Sequence, residues 1–212
     1  MFPEEVFQFE PQDLKTKVPL FVTWMKAADD SLSEEELAEL DPLDESQWDL
    51  RGCIGTFAPE ALHTTLPTYA LTAALKDTRF APISPSELVY LRCSVSLLSE
   101  FEETSHNFDW EVGKHGIYMI YQDPTTGKVC RGTFLPEVAK EQGWDHAQTL
   151  SALLRKAGYR GLYSRTMESR MTVLRYTSSK AHITFHQFKT LYLKKLQELK
   201  ASKGKPEEKA LG

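Results

Sequence analysis

The chain has 212 residues, of which 41% are hydrophobic, 26% charged and 11% aromatic, enough for one good globular core or two small ones. No run of about 18 apolar residues occurs, so no segment reads as a membrane span. The net charge of −5 and pI near 5.7 exclude general nucleic-acid binding by the whole surface.

In chain order, residues 1–17 read as an irregular lead-in, acidic at its start and without the basic-then-apolar order of a secretory signal. Pro19–Met25 reads as a strand, with proline tolerated at its first position. Residues 27–47 form an acidic insert. Its stretch 29–45 holds nine Asp or Glu and no Lys or Arg, and Ser33 with Glu36 forms a capping box for a helix over about 34–40. Few large apolar residues lie in the insert and its charges repel one another, so it is expected to be dispensable for folding.

Residues 50–57 read as a second strand, the natural antiparallel neighbour of the first. A helix follows over Leu66–Ala74, with Pro67 in its first turn. Ser86–Leu88 is a short turn, and Leu91–Leu98 alternates as a half-buried strand. After a loop over 99–114, Ile117–Gln122 and Lys128–Leu135 form a hairpin around the turn residues Asp123–Gly127. Pro136 opens a helix that Gly143 stops. Asp145, with Gln148 three residues on, caps another that Gly158 ends. Arg170–Tyr176 is a strand. His186 to about Lys200 is helical, with Phe188, Tyr192, Leu196 and Leu199 on one side, and residues 201–212 read as a frayed basic tail. Mixed strands and helices, a hairpin and no strand–helix–strand repeat argue for an α+β domain with antiparallel sheets.

The most informative stretch is Leu50-Arg51-Gly52-Cys53-Ile54-Gly55-Thr56-Phe57. Glycine inside a strand marks a bulge or a close approach to the backbone. Strict alternation places Arg51, Cys53 and Gly55 on one face, with nothing at Gly55 to cover the other two. The stretch then makes a pocket floor with a guanidinium beside a thiol, and a nearby cation favours the reactive thiolate. On this reading Gly55 keeps the floor bare and tolerates alanine structurally, while Gly52 is a packing residue. The competing reading is a buried, inert cysteine in a tightly packed strand.

Three cysteines, Cys53, Cys93 and Cys130, are odd in number and far apart. They suggest a reduced compartment, cytoplasmic or also nuclear, rather than a disulfide framework, and they lack the close pairs of a structural zinc site. Cys53 with His115 as base and Glu102 to orient it supplies the parts of nucleophilic catalysis, and Arg51 and Arg79 could hold an anionic substrate. His182 and His186 are four apart, but a helix starting near His186 separates them, so no metal site is assigned. Residues 155–212 carry 14 Lys or Arg against 4 Asp or Glu. Tyr159, Tyr163 and Tyr176 interleave there with Arg160, Arg165, Arg170 and Arg175, a pattern that binds single strands by stacking and charge or else reflects core aromatics and solvated arginines. Any nucleic-acid affinity is expected to be weak and salt-dependent.

From about 18 to 190 the chain resembles the AMMECR domain family. The motif Leu-Arg-Gly-Cys-Ile-Gly at 50–55 carries the resemblance, joined in order by Pro19–Trp24, Asp77–Phe80, Val95–Leu98, Gly113–Gly116, Leu135–Ala139, Glu141–Asp145 and Lys156–Tyr159. The insert at 27–47 is longer than members generally carry, and Arg131–Phe134 replaces a more usual Ala-Thr-Tyr. The resemblance implies an α+β fold in two lobes with a cleft between them; it leaves the cofactor unknown and brings no assigned catalytic residues. Three functions follow as expectations. The first is a cleft on Leu50–Gly55 that binds a small molecule through Arg51, Gly52, Gly55 and Arg79, with cysteine-dependent catalysis in its stronger form. The second is an adaptor that takes a partner peptide. The third is a regulatory factor that contacts nucleic acid through the basic C-terminal third.

Overall fold

The computed structural model describes residues 15–203, so most of the lead-in and tail lies outside the described residues. The fold is α+β. Six strands, β1 (Lys17–Ala27), β2 (Trp48–Ala61), β3 (Leu91–Glu103), β4 (Gly116–Gln122), β5 (Val129–Phe134) and β6 (Met171–Thr184), pair in the order β2-β1-β3-β6-β4-β5. The helices are α1 (Glu34–Glu39), α2 (Leu62–Leu75), α3 (Pro136–Glu141), α4 (His146–Lys156) and α5 (Phe185–Lys203). The described residues divide into two compact units, one of residues 15–95 and 180–203, the other Ser96–Ser179.

In the first unit, β1 and β2 pair antiparallel as expected, and both extend beyond the predicted spans. α2 starts at Leu62, so Pro67 lies inside the helix rather than in its first turn. The Thr64 and Thr65 hydroxyls both donate to the Ala61 carbonyl, within the helix's first turn. α1 carries the expected capping box of Ser33 and Glu36.

The insert is not a detachable loop. Leu37 is 2% exposed and packs with Ala27 and Trp48, and Leu40 joins that cluster. Arg92 of β3 is 1% exposed, donates to the Pro42 carbonyl, meets Glu45 at 2.6 Å and lies over the Trp48 ring at 5.0 Å. Glu45 also meets Lys180 at 3.4 Å. A buried guanidinium needs a paired carboxylate, and the insert supplies it. The expectation that 27–47 is dispensable is therefore corrected.

In the second unit, β4 and β5 form the expected hairpin, and β4 also pairs with β6. Asp145 caps α4 with Gln148 at N3, and Gly143 and Gly158 take positive φ. The core joins Trp110, Ile117, Met119 and Tyr121 to Leu150, Leu153 and Leu154. β6 runs to Thr184, about twice the predicted length; Thr177–Thr184 is mostly polar and offers no apolar run to mark it as strand.

Candidate functional site

The sequence motif lies on β2 beside β1. Trp24 faces Gly52 and Met25 faces Leu50, so Arg51 is the extra residue of a bulge. Alternation does not carry across it, and the expected shared face of Arg51 with Cys53 does not follow. Cys53 faces Thr23, whose hydroxyl donates to Sγ at 3.2 Å.

The backbone of Cys53 is held from the loop after α2. Asp77 Oδ2 accepts its N–H at 2.9 Å, and Arg79 Nη2 donates to its carbonyl at 3.1 Å. Asp77 and Arg79 pair at 2.7 Å, with the Asp77 side chain only 4% exposed. The Arg79 hydrogen bonds hold the Asp77 carboxyl far below its ordinary range, against the penalty of burial. Arg79 also interacts electrostatically with Cys53.

Arg51 has a different role from the expected anion binder. Its Nε and Nη2 meet Glu87 at 2.8 and 3.1 Å, and Nη1 and Nη2 donate to the Ala81 and Pro82 carbonyls. This bidentate pair brings the Glu87 carboxyl down to about 2. Arg51 thus fastens the 81–87 loop to the motif strand. Ser84 N–H donates to the same Glu87 in a capping box at the 3-10 turn Pro85–Tyr90. The spacing Ser84-x-x-Glu87 was the readable signal for that partner.

Neither glycine leaves a bare floor. A Cβ on Gly52 would lie 2.2 Å from the Ala73 carbonyl oxygen of α2. A Cβ on Gly55 would lie 2.3 Å from the Phe21 ring and 2.5 Å from the Leu20 carbonyl oxygen. Both are close-approach glycines, so the expectation that Gly55 tolerates alanine is corrected.

An apolar cavity of about 370 Å³ opens in the same unit. Trp24, Ala70, Leu88, Leu91, Cys93, Ile183, Phe185 and Phe188 line it, from β1, α2, the 3-10 turn, β3, β6 and α5. Trp24 Nε1 donates to the Ala70 carbonyl at 2.9 Å, which satisfies the indole and fixes that wall. Burial pushes the Cys93 thiol up to about 12, so this cysteine is a packing group. Sequence patterning missed the cavity because its walls come from six separate elements.

The AMMECR1 sequence profile matches residues 3–181. The chain belongs to the AMMECR1 family. An uncharacterised protein of Saccharomyces cerevisiae is 38% identical over 201 residues, covering 89% of this chain and 76% of the relative. One from Arabidopsis thaliana is 38% identical over 186 residues, with 88% and 77% covered. A crystal structure of an uncharacterised protein from Pyrococcus horikoshii shares the fold at TM-score 0.61 and 23% identity, covering 83% of this chain and 81% of that one.

The other expected site residues of this AMMECR1-family chain fall in the second unit. His115 is half-buried, and its Nδ1 accepts the Glu111 N–H at 3.0 Å. Burial first, then the Lys114 and Arg175 cations, lower its pKa. Glu102 pairs with Arg175 at 2.7 Å rather than hydrogen-bonding His115. Arg175 also meets Asp109. Tyr176 is fully buried, and Tyr159 and Tyr163 pack against the unit's core, so these rings serve packing first. His182 lies on β6 and His186 in the first turn of α5. Among the described residues no group of three or more potential ligands gathers to hold a metal ion, and no helix is long and apolar enough to cross a membrane.

Proposed function

We propose that this protein is a binding module, the adaptor reading, in which the apolar cavity beside the motif strand receives an apolar group. The observation that carries this is the cavity itself. Ligand sites are concave and mostly apolar, with volumes of roughly 300–1,000 Å³, and this cavity of about 370 Å³ falls at the small end, sized for one large side chain or a small ring. The motif supports the cavity rather than lining it. Gly52 lets α2 approach β2 closely, and the register partner of Gly52 is Trp24, a cavity wall. Arg51 and Glu87 hold the turn that presents Leu88. Ligand-observed NMR with toluene and indole tests the reading. Saturation transfer to both probes, lost when Ala70→Phe fills the cavity, is expected. Equal transfer in the folded Ala70→Phe protein, or none in the parent, overturns it.

A second reading, thiol-dependent chemistry at Cys53, has one observation in its favour. The Thr23 hydroxyl and the Arg79 guanidinium both favour a thiolate at Sγ. Asp77, paired to Arg79, offsets part of that effect. A catalytic use requires Cys53 to react faster than an ordinary thiol.

A further inference from the structure

The AMMECR1 match ends at residue 181, so α5 lies beyond it. Phe185 and Phe188 of α5 line the cavity, and after Thr190 most of the helix is exposed. Phe188 and Tyr192, one turn apart, stack at 5.8 Å yet are 51% and 54% exposed. Leu88, another cavity residue, is also exposed. An apolar track therefore leads out of the cavity along the helix.

That track is bordered by positive charge. α5 carries Lys189, Lys194, Lys195 and Lys200 against Glu198, which Lys195 meets at 3.4 Å. At about 100° per residue, Lys195 falls on one side of the Phe188–Tyr192 stripe and Lys189 on the other. A stripe of aromatics between lysines is complementary to an apolar stripe between carboxylates. We propose that this face docks an acidic amphipathic helix of a partner protein, with one large apolar side chain of that helix seated in the cavity. The proposal rests on the cavity reading above.

A protein helix fits better than an anionic bilayer. α1 contacts α5, and Glu34 lies 4.0 Å from Lys189 with three more glutamates on the same short helix. A flat anionic surface would meet those glutamates over its whole width, whereas a helix about 10 Å wide covers only a strip along α5. A cavity of about 370 Å³ also selects one discrete side chain, which a bilayer does not offer.

The probe is a labelled synthetic amphipathic peptide of about 18 residues, leucine on one face and glutamate on the other, followed by fluorescence anisotropy. The control peptide replaces its glutamates with lysines. Tyr192→Asp and Lys195→Glu change exposed positions, and circular dichroism checks their folding. Binding of the acidic peptide is expected, weaker by about tenfold or more in Tyr192→Asp, weaker by several-fold in Lys195→Glu, and falling as salt rises from about 0.05 to about 0.5 M. Equal affinity for the two peptides, or no change in either variant, overturns the proposal. So does binding to phosphatidylserine vesicles but not to peptide, or self-association of the protein through the same face. If toluene still binds the cavity while the peptide does not, this inference falls and the cavity reading stands. If neither binds, both fall.

Discussion

Asp77 grips the backbone of Cys53: its Oδ2 accepts the Cys53 N–H at 2.9 Å, while its ion-pair partner Arg79 donates to the Cys53 carbonyl. A carboxylate that accepts from a backbone amide and a guanidinium is stabilised in its charged form. Glu87 is in the same position with Arg51. The motif strand is thus tied to its loop by two carboxylates that must stay ionised.

A pH dependence follows. The Glu87 carboxyl is lowered from 4.5 to about 2, mainly by its Arg51 hydrogen bonds, and Asp77 is lowered too. In the unfolded chain both groups take protons at higher pH than in the folded one. Their stabilisation is therefore complete above about pH 5 and is lost as pH falls through about 4.5 toward 2. Denaturant titrations across that window should show stability falling with pH. In Glu87→Gln the fall should be shallower and the neutral-pH stability lower. An identical slope in that variant contradicts the role given to Glu87.

Alanine at either motif glycine should weaken the fold. The Gly52 contact is with helix backbone, and the Gly55 contacts include the Leu20 carbonyl, so neither neighbour is the end of a flexible side chain. A cost of about 1–3 kcal/mol or more is expected at each site, larger for Gly52→Ala. Chemical denaturation measures it, and near-parent stability for Gly55→Ala would restore the bare-floor reading.

The acidic insert should prove structural. Leu37→Ala should cost about 2–4 kcal/mol as a buried cavity mutation. Glu45→Ala, which leaves Arg92 buried without its carboxylate, should cost about 3 kcal/mol. A melting temperature within a degree or two of the parent in both variants would return the insert to the status of a surface loop.

The β4–β5 hairpin, the Ser33–Glu36 and Asp145–Gln148 capping boxes and the Gly143 and Gly158 stops were legible because each depends on residues within a few positions. The Arg92–Glu45 pair spans 47 residues and has no local signature, so the insert looked solvated. Counting alternate residues failed at Arg51 because one bulge changes which side chains share a face. The apolar stripe on α5 follows from helical periodicity, but periodicity does not say what covers it, and its residues Phe188 and Tyr192 are half exposed.

The three cysteines should separate in an alkylation time course at neutral pH. Cys93, raised to about 12 by burial, and the buried Cys130 should react slowly. Cys53, with Thr23 and Arg79 beside it, should react first. Thr23→Val should slow Cys53 by several-fold. If Cys53 reacts no faster than Cys93, the thiol-dependent reading is to be abandoned and the binding reading is unaffected.

The most direct measurement follows the indole N–H of Trp24 by NMR during titration with toluene. This indole belongs to the cavity wall and donates to Ala70, whereas Trp48, Trp110 and Trp144 lie outside that lining. A saturable shift of the Trp24 resonance alone, abolished in Ala70→Phe, is the expected result. An unmoved Trp24 resonance, or four indoles that drift together without saturation, contradicts the claim that this cavity is the protein's binding site.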